Sequence, residues 1–227
     1  MRPYPLLLAA AALALHVAPA VAQDYLDTGA GQQVFFSPSG QPFRAAPDKP
    51  YPSVDWFNAA DANHDGKISH DEFVADAMRF FDMLDVNHDG YINSPENTRY
   101  ETQIAPEIQR VDPRIQQPKN ITHNDDDAAT QDMPNGGRYL KQIVGASQYG
   151  LIDEPQPIRG ADANFDFRVS KAEWLTATNQ RFAILGRNGD GYITPDELPR
   201  TPAQLAQESG KNDRKDDHRR KKHSGNW

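Results

Sequence analysis

The chain has 227 residues, 25% of them charged, with a formal net charge of −8 and no cysteine, which excludes disulfide staples, a thiol nucleophile and a lipid-modified cysteine. The charge is uneven: Lys211 to Trp227 holds seven Lys/Arg against three Asp and Arg2 adds one positive charge, so residues 23–210 carry −13. An acidic body attracts cations and repels nucleic acid, so no nucleic-acid partner is expected.

Residues 1–22 read as a signal peptide, with Arg2 as the positive start, Leu6 to Val17 as the apolar stretch and Ala20-Val21-Ala22 as a cleavage site before Gln23. An apolar run of about a dozen residues is too short to span a bilayer. The expected product is a periplasmic or secreted protein of 205 residues without a transmembrane segment. Residues 23–52 are punctuated by Pro and Gly and read as an irregular N-terminal segment, with a strand at Val34 to Phe36 and Phe43 packed on the body. Ser53 stands as an N-cap before a short helix, Val54 to Ala60.

Residues 61–72 (DANHDGKISHDE) and 85–96 (DVNHDGYINSPE) then write one pattern twice. Oxygen-bearing side chains fall at positions 1, 3, 5 and 9, glycine at 6, isoleucine at 8 and glutamate at 12, the order that a hard cation of about seven ligands requires. In the first loop the donors are Asp61, Asn63, Asp65, the Lys67 carbonyl, Ser69 through water, and both oxygens of Glu72. In the second they are Asp85, Asn87, Asp89, the Tyr91 carbonyl, Asn93 and Glu96. Turn propensity alone accounts for Asp, Asn and Gly. It does not account for Ile68 and Ile92 at position 8. Glycine at position 6 marks a sharp reversal with positive φ.

The two loops start only 24 residues apart. One helix, carrying Phe73, Ala77, Phe80 and Leu84 at helical spacing, must therefore leave the first loop and enter the second. A helix of about 16 residues holds its ends roughly 24 Å apart, too far for the two loops to pair with each other.

The pattern recurs 101 residues later: ADANFDFRVSKAEW aligns with ADANHDGKISHDEF, and GYITPDE with GYINSPE. The third loop keeps Asp162, Asn164, Asp166, the Arg168 carbonyl, Ser170 and Glu173, but has Phe167 where glycine belongs. The fourth keeps Asn188, Asp190, the Tyr192 carbonyl, Thr194 and Glu197, but begins with Gly186. Antiparallel packing of the two shared helices would set loop 1 beside loop 4, with Ile68 near Ile193, and loop 2 beside loop 3, with Ile92 near Val169.

The loops resemble the EF-hand family, and the chain is similar to bacterial exported EF-hand proteins with four hands, two of them degenerate. The resemblance implies a mainly α fold of duplicated helix–loop–helix pairs with short loop-pairing strands, and Ca²⁺ as the ligand. The expected organisation is a signal peptide at 1–22, the irregular segment at 23–52, a first pair at 53–104, a linker at 105–153, a second, degenerate pair at 154–201 and a disordered basic tail at 202–227. A flexible stretch is expected at Asn124 to Gly137 and a helix at Tyr139 to Ile152.

An enzyme is not expected. None of the seven histidines forms an i, i+4 pair of metal-hydrolase type, and no Gly-rich phosphate loop or GxSxG elbow is present. The remaining classes are a calcium-stabilised structural or buffering module and a sensor that exposes an apolar surface to an envelope protein. With only four Met the chain lacks the adaptable groove of promiscuous sensors, which favours the module. Loops 1 and 2 should bind most tightly, loop 3 less so and loop 4 least. Calorimetric titration should find Glu72→Gln and Glu96→Gln each removing one of the two tightest sites; a larger loss from Glu197→Gln would reverse the order.

Overall fold

The computed structural model describes residues 32–115, 130–132, 138–140 and 142–208. The expected signal peptide, residues 23–31 of the irregular segment, residues 116–129, 133–137 and 141 of the linker, with most of the stretch Asn124 to Gly137, and the tail beyond residue 208 lie outside them.

Gln33–Phe36 (β1) and Pro42–Ala45 (β2) form an antiparallel hairpin where one strand was expected. Gly40, at φ 87°, makes its turn, and a Cβ there would stand 2.9 Å from both Pro157 and the Tyr100 hydroxyl. Helix α1 runs Ser53–Ala60. Ser53 is its first residue rather than its cap; Pro52 holds the cap position and no side chain closes that end.

Each shared helix is unbroken. His70–Leu84 (α2) follows the two-residue strand Ile68–Ser69 (β3), and Lys171–Leu185 (α4) follows Val169–Ser170 (β7). Tyr91–Ile92 (β4) leads into α3, Ser94–Arg99, which passes into a wider turn, Tyr100–Ile104. Between them, Thr130–Asp132 (β5) pairs with Arg138–Leu140 (β6). Tyr192–Ile193 (β8) closes the series.

The expected helix at Tyr139 to Ile152 is absent: Arg138–Leu140 is extended and Gly145–Gln148 makes a single 3₁₀ turn. Gly145 is the reason. It sits at φ 61° with its Cα so close to Pro155 that a Cβ would lie 2.1 Å from the Pro155 carbonyl oxygen. The segment expected as a tail also begins with structure. Residues 202–208 form a helix, α5, opened by a reciprocal Thr201/Gln204 cap, with Ala203 buried.

The strands pair across the halves. β3 lies antiparallel to β8, with Ile68 opposite Ile193, and β4 lies antiparallel to β7, with Ile92 opposite Val169. That pairing requires α2 and α4 to run antiparallel, and Trp174 of α4 donates its indole N–H to the Ala77 carbonyl of α2 at 2.9 Å. Two cores result. One joins Trp56, Phe57, Ile68 and Phe73 to Leu185 and Ile193, uniting loops 1 and 4; the other joins Phe80, Phe81, Leu84 and Ile92 to Val169 and Trp174, uniting loops 2 and 3. The hairpin bridges them by strand alternation, with Phe35 in the first core and Phe36 in the second.

Candidate metal centre

Helix α1 ends at Ala60 and Asp61 takes the C-cap position at φ −71°, ψ 81°, its N–H still bonded to the Phe57 carbonyl at 2.9 Å. That turn aims the carboxylate into the loop, where it accepts the Asp65 N–H at 3.1 Å and the Gly66 N–H at 2.9 Å. Asn63 accepts the same Asp65 N–H at 2.8 Å, and Asp65 accepts from Lys67 at 3.1 Å. Gly66, at φ 84°, reverses the chain. Loop 2 repeats these bonds with Asp85, Asn87, Asp89 and Gly90.

Position 12 has a second role. Ser69-x-x-Glu72 is a capping box: Glu72 accepts the Ser69 N–H at 2.9 Å while Ser69 accepts the Glu72 N–H at 3.3 Å, opening α2. Asn93/Glu96, Ser170/Glu173 and Thr194/Glu197 do the same. The spacing that places ligands at positions 9 and 12 thus also starts each exiting helix or turn. The Ser69 N–H, and then its hydroxyl, hold the Glu72 carboxyl below the ordinary carboxylate range, and Ser170 does so for Glu173. Both glutamates therefore stay ionised under mildly acidic conditions, and the helix-start contribution is lost only as pH falls through the lowered value.

The second oxygen of each glutamate turns back across its loop. Glu72 Oε1 accepts from Asn63 at 3.2 Å and Glu96 Oε1 from Val86 at 2.8 Å. In loops 3 and 4 the corresponding oxygens, Glu173 Oε1 and Glu197 Oε1, are buried and accept no hydrogen bond; the Asn164 amide acts on Glu173 from outside bonding geometry. A buried carboxylate oxygen without a partner is costly unless something cationic meets it. The donor set, hard oxygens throughout, fits a hard divalent cation. Among the described residues no three Asp, Glu, His or Cys side chains are gathered into a ready cluster, since the loops spend one position on Asn, one on a backbone carbonyl and their carboxylates on their own amides.

The two departures in the second half are placed as their residue types dictate. Phe167 occupies φ 67°, with its N–H bonded to Asp162 at 3.0 Å as Gly66 is bonded to Asp61. A non-glycine residue there costs about 1–2 kcal/mol. The residues at position 4, His64, His88 and Phe165, also adopt positive φ, although none of them is a glycine. In loop 4 Gly186 keeps the Asp backbone, φ −78° and ψ 67°, without the carboxylate, so the Asp190 N–H is received by Asn188 Oδ1 at 2.9 Å and not by a position-1 carboxylate such as Asp61 in loop 1.

Cross-strand contacts couple the loops at position 7. Lys67 lies 3.9 Å from the centre of the Tyr192 ring, and Arg168 lies 4.9 Å from that of Tyr91. His70 bonds Asn179 at 2.8 Å and meets Phe182 edge-on, tying α2 to α4. Buried polar groups that sequence reading missed also brace the halves. Arg181 bonds Glu154 and the Pro157 carbonyl, and Asp76 accepts from Trp56 at 3.0 Å, with burial raising its carboxyl above the usual range.

The family model described as "EF hand" matches residues 54–75, 77–96 and 187–200. The chain carries EF-hands. The matches take in loops 1 and 2 whole and most of loop 4, while loop 3, with phenylalanine at position 6, lies outside them. The EF-hand family implies calcium as the ion. No curated protein matches the chain.

Gly186 supplies a test. A Cβ there would stand 3.3 and 3.4 Å from the Tyr192 and Phe182 carbonyl oxygens and 3.8 Å from Ile193 Cγ1, and the backbone is already that of an aspartate. Gly186→Asp should tighten calcium binding at loop 4 by about tenfold or more, because ligand charge sets EF-hand affinity. An unchanged calorimetric titration in a folded variant would show that loop 4 is not a cation site.

Proposed function

We propose that this is an exported protein with four EF-hands in which calcium acts as a staple and a buffer for the fold, without catalysis. The ion supplies a divalent charge that offsets three carboxylates in each of loops 1, 2 and 3 and two in loop 4. The observation that carries this reading is the shared helix. A sensor opens by swinging the exiting helix of a hand away from its entering helix. Here α2 leaves loop 1 and enters loop 2, so opening one hand strains the other and pulls on both two-stranded sheets. Trp174, Phe81 and Leu84 are fully buried at the α2/α4 contact, and their exposure would cost about 1.5–3 kcal/mol each.

The signal-peptide composition of residues 1–22 supports export, and among the described residues no helix is long and apolar enough to cross a membrane. The sensor reading keeps one observation in its favour. An open hollow of about 430 Å³ lies beside loop 1, lined by Val54, Phe57, Asp61, Leu198 and Gln204, and a partner's apolar segment would fit there.

Thermal denaturation with an apolar dye separates the two readings. A ligand bound only by the folded state adds about 2.7 kcal/mol per site at a hundredfold excess over Kd. Calcium should therefore raise Tm by several degrees over the chelated protein without raising dye fluorescence. A large calcium-dependent rise in dye binding would establish the sensor instead, and an unmoved Tm would make the loops vestigial.

A further inference from the structure

Loop 3 departs from its three counterparts in what it shows to solvent. Phe165 is 81% exposed and Phe167 71%, both on positive-φ backbone, where the other loops place histidine or glycine. Neither ring contributes to a core, so neither the strain at Phe167 nor the exposed aromatic area is offset by packing within the chain. Cations stand beside them: Arg159 and Phe167 line one shallow hollow, and Arg168, next in sequence to Phe167, covers Tyr91 of the paired loop 2.

The charge of this end depends on the ion. Loop 3 carries Asp162, Asp166 and Glu173 against Arg168 and Lys171, a net of −1, and loop 2 carries Asp85, Asp89 and Glu96, a net of −3. Two divalent cations bring the pair of loops from −4 to neutral. Arg168 pairs with Asp166 at 3.6 Å, so a cation held by Asp166 competes for that carboxylate and leaves the guanidinium to face outward.

We propose that loop 3, with calcium bound, inserts Phe165 and Phe167 into the interface of an anionic phospholipid bilayer while Arg159 and Arg168 meet lipid phosphates. The rings stand out into solvent from the loop. A fluid apolar phase accepts that shape as it is, whereas a protein partner would need a matched cavity, and the flanking guanidiniums complement phosphate. Two rings and two or three cations give weak, reversible attachment, and no helix has to move.

The inference rests on calcium binding at loop 3, and vesicle sedimentation run beside calorimetry on the full chain separates the two claims. With phosphatidylcholine/phosphatidylglycerol vesicles, calcium should raise binding about tenfold over chelator, and pure phosphatidylcholine should bind less. Phe165→Ser and Phe167→Gly should each weaken vesicle binding about tenfold. Phe167→Gly, which relieves the strain, should bind calcium at least as tightly as the wild type. A purely structural phenylalanine would not split the two readouts in this way. Glu173→Gln should remove most of the calcium dependence, leaving only the charge change from the ion in loop 2. The basic tail is present in every variant, so its attraction to anionic lipid cancels in the comparison. Calcium uptake at loop 3 without vesicle binding, or vesicle binding indifferent to both Phe substitutions, would overturn the proposal alone. Absence of calcium uptake at loop 3 would overturn it through its premise.

Discussion

A single helix joining two loops is the constraint from which the rest of the architecture follows. Because α2 spans His70–Leu84 without a break, loops 1 and 2 sit at its opposite ends and cannot reach each other. Each loop nevertheless exposes a strand edge and an apolar residue at position 8, and an unpaired edge with a buried-type side chain is unstable alone. The duplicated half resolves both problems. Its own shared helix, α4, lies antiparallel to α2, and each position-8 residue finds its partner in the other half. The two cores are therefore each built from both copies of the duplication.

This arrangement explains why a damaged loop is retained. Loop 4 lacks its first carboxylate, yet Ile193 is fully buried against Ile68, and Tyr192 lies under the Lys67 ammonium. Its strand completes the site of loop 1 whether or not it holds an ion. Loop 3 serves loop 2 in the same way through Val169. The four capping boxes add a second reason for loop geometry to persist, since Glu72, Glu96, Glu173 and Glu197 start a helix or turn as well as closing a loop.

Much of this was legible in the residues. Donor spacing placed the loops, the 24-residue interval gave the shared helices, and phenylalanine at a glycine position foretold the positive φ of Phe167. What could not be read was set by long-range contact. The hairpin's second strand depends on Gly40 meeting Pro157 and Tyr100, more than fifty residues away. The helix expected at Tyr139 to Ile152 fails because Gly145 must approach Pro155, a tertiary demand that local propensity does not record. The charged tail expected from residue 202 opens instead with a helix, which Thr201-x-x-Gln204 signals in the sequence as a capping box.

The pairing of each loop with a loop of the other half is tested most directly by a crossed pair of core substitutions in the full chain. Ile193→Ala and Val169→Ala each remove buried apolar contact at one sheet only, and a large-to-small change at such a site costs about 0.5–5 kcal/mol depending on the volume lost. Site-resolved calcium titration should find that Ile193→Ala weakens loop 1 and spares loop 2, while Val169→Ala weakens loop 2 and spares loop 1. Equal effects on both loops, or the reverse assignment, would contradict the cross-half pairing.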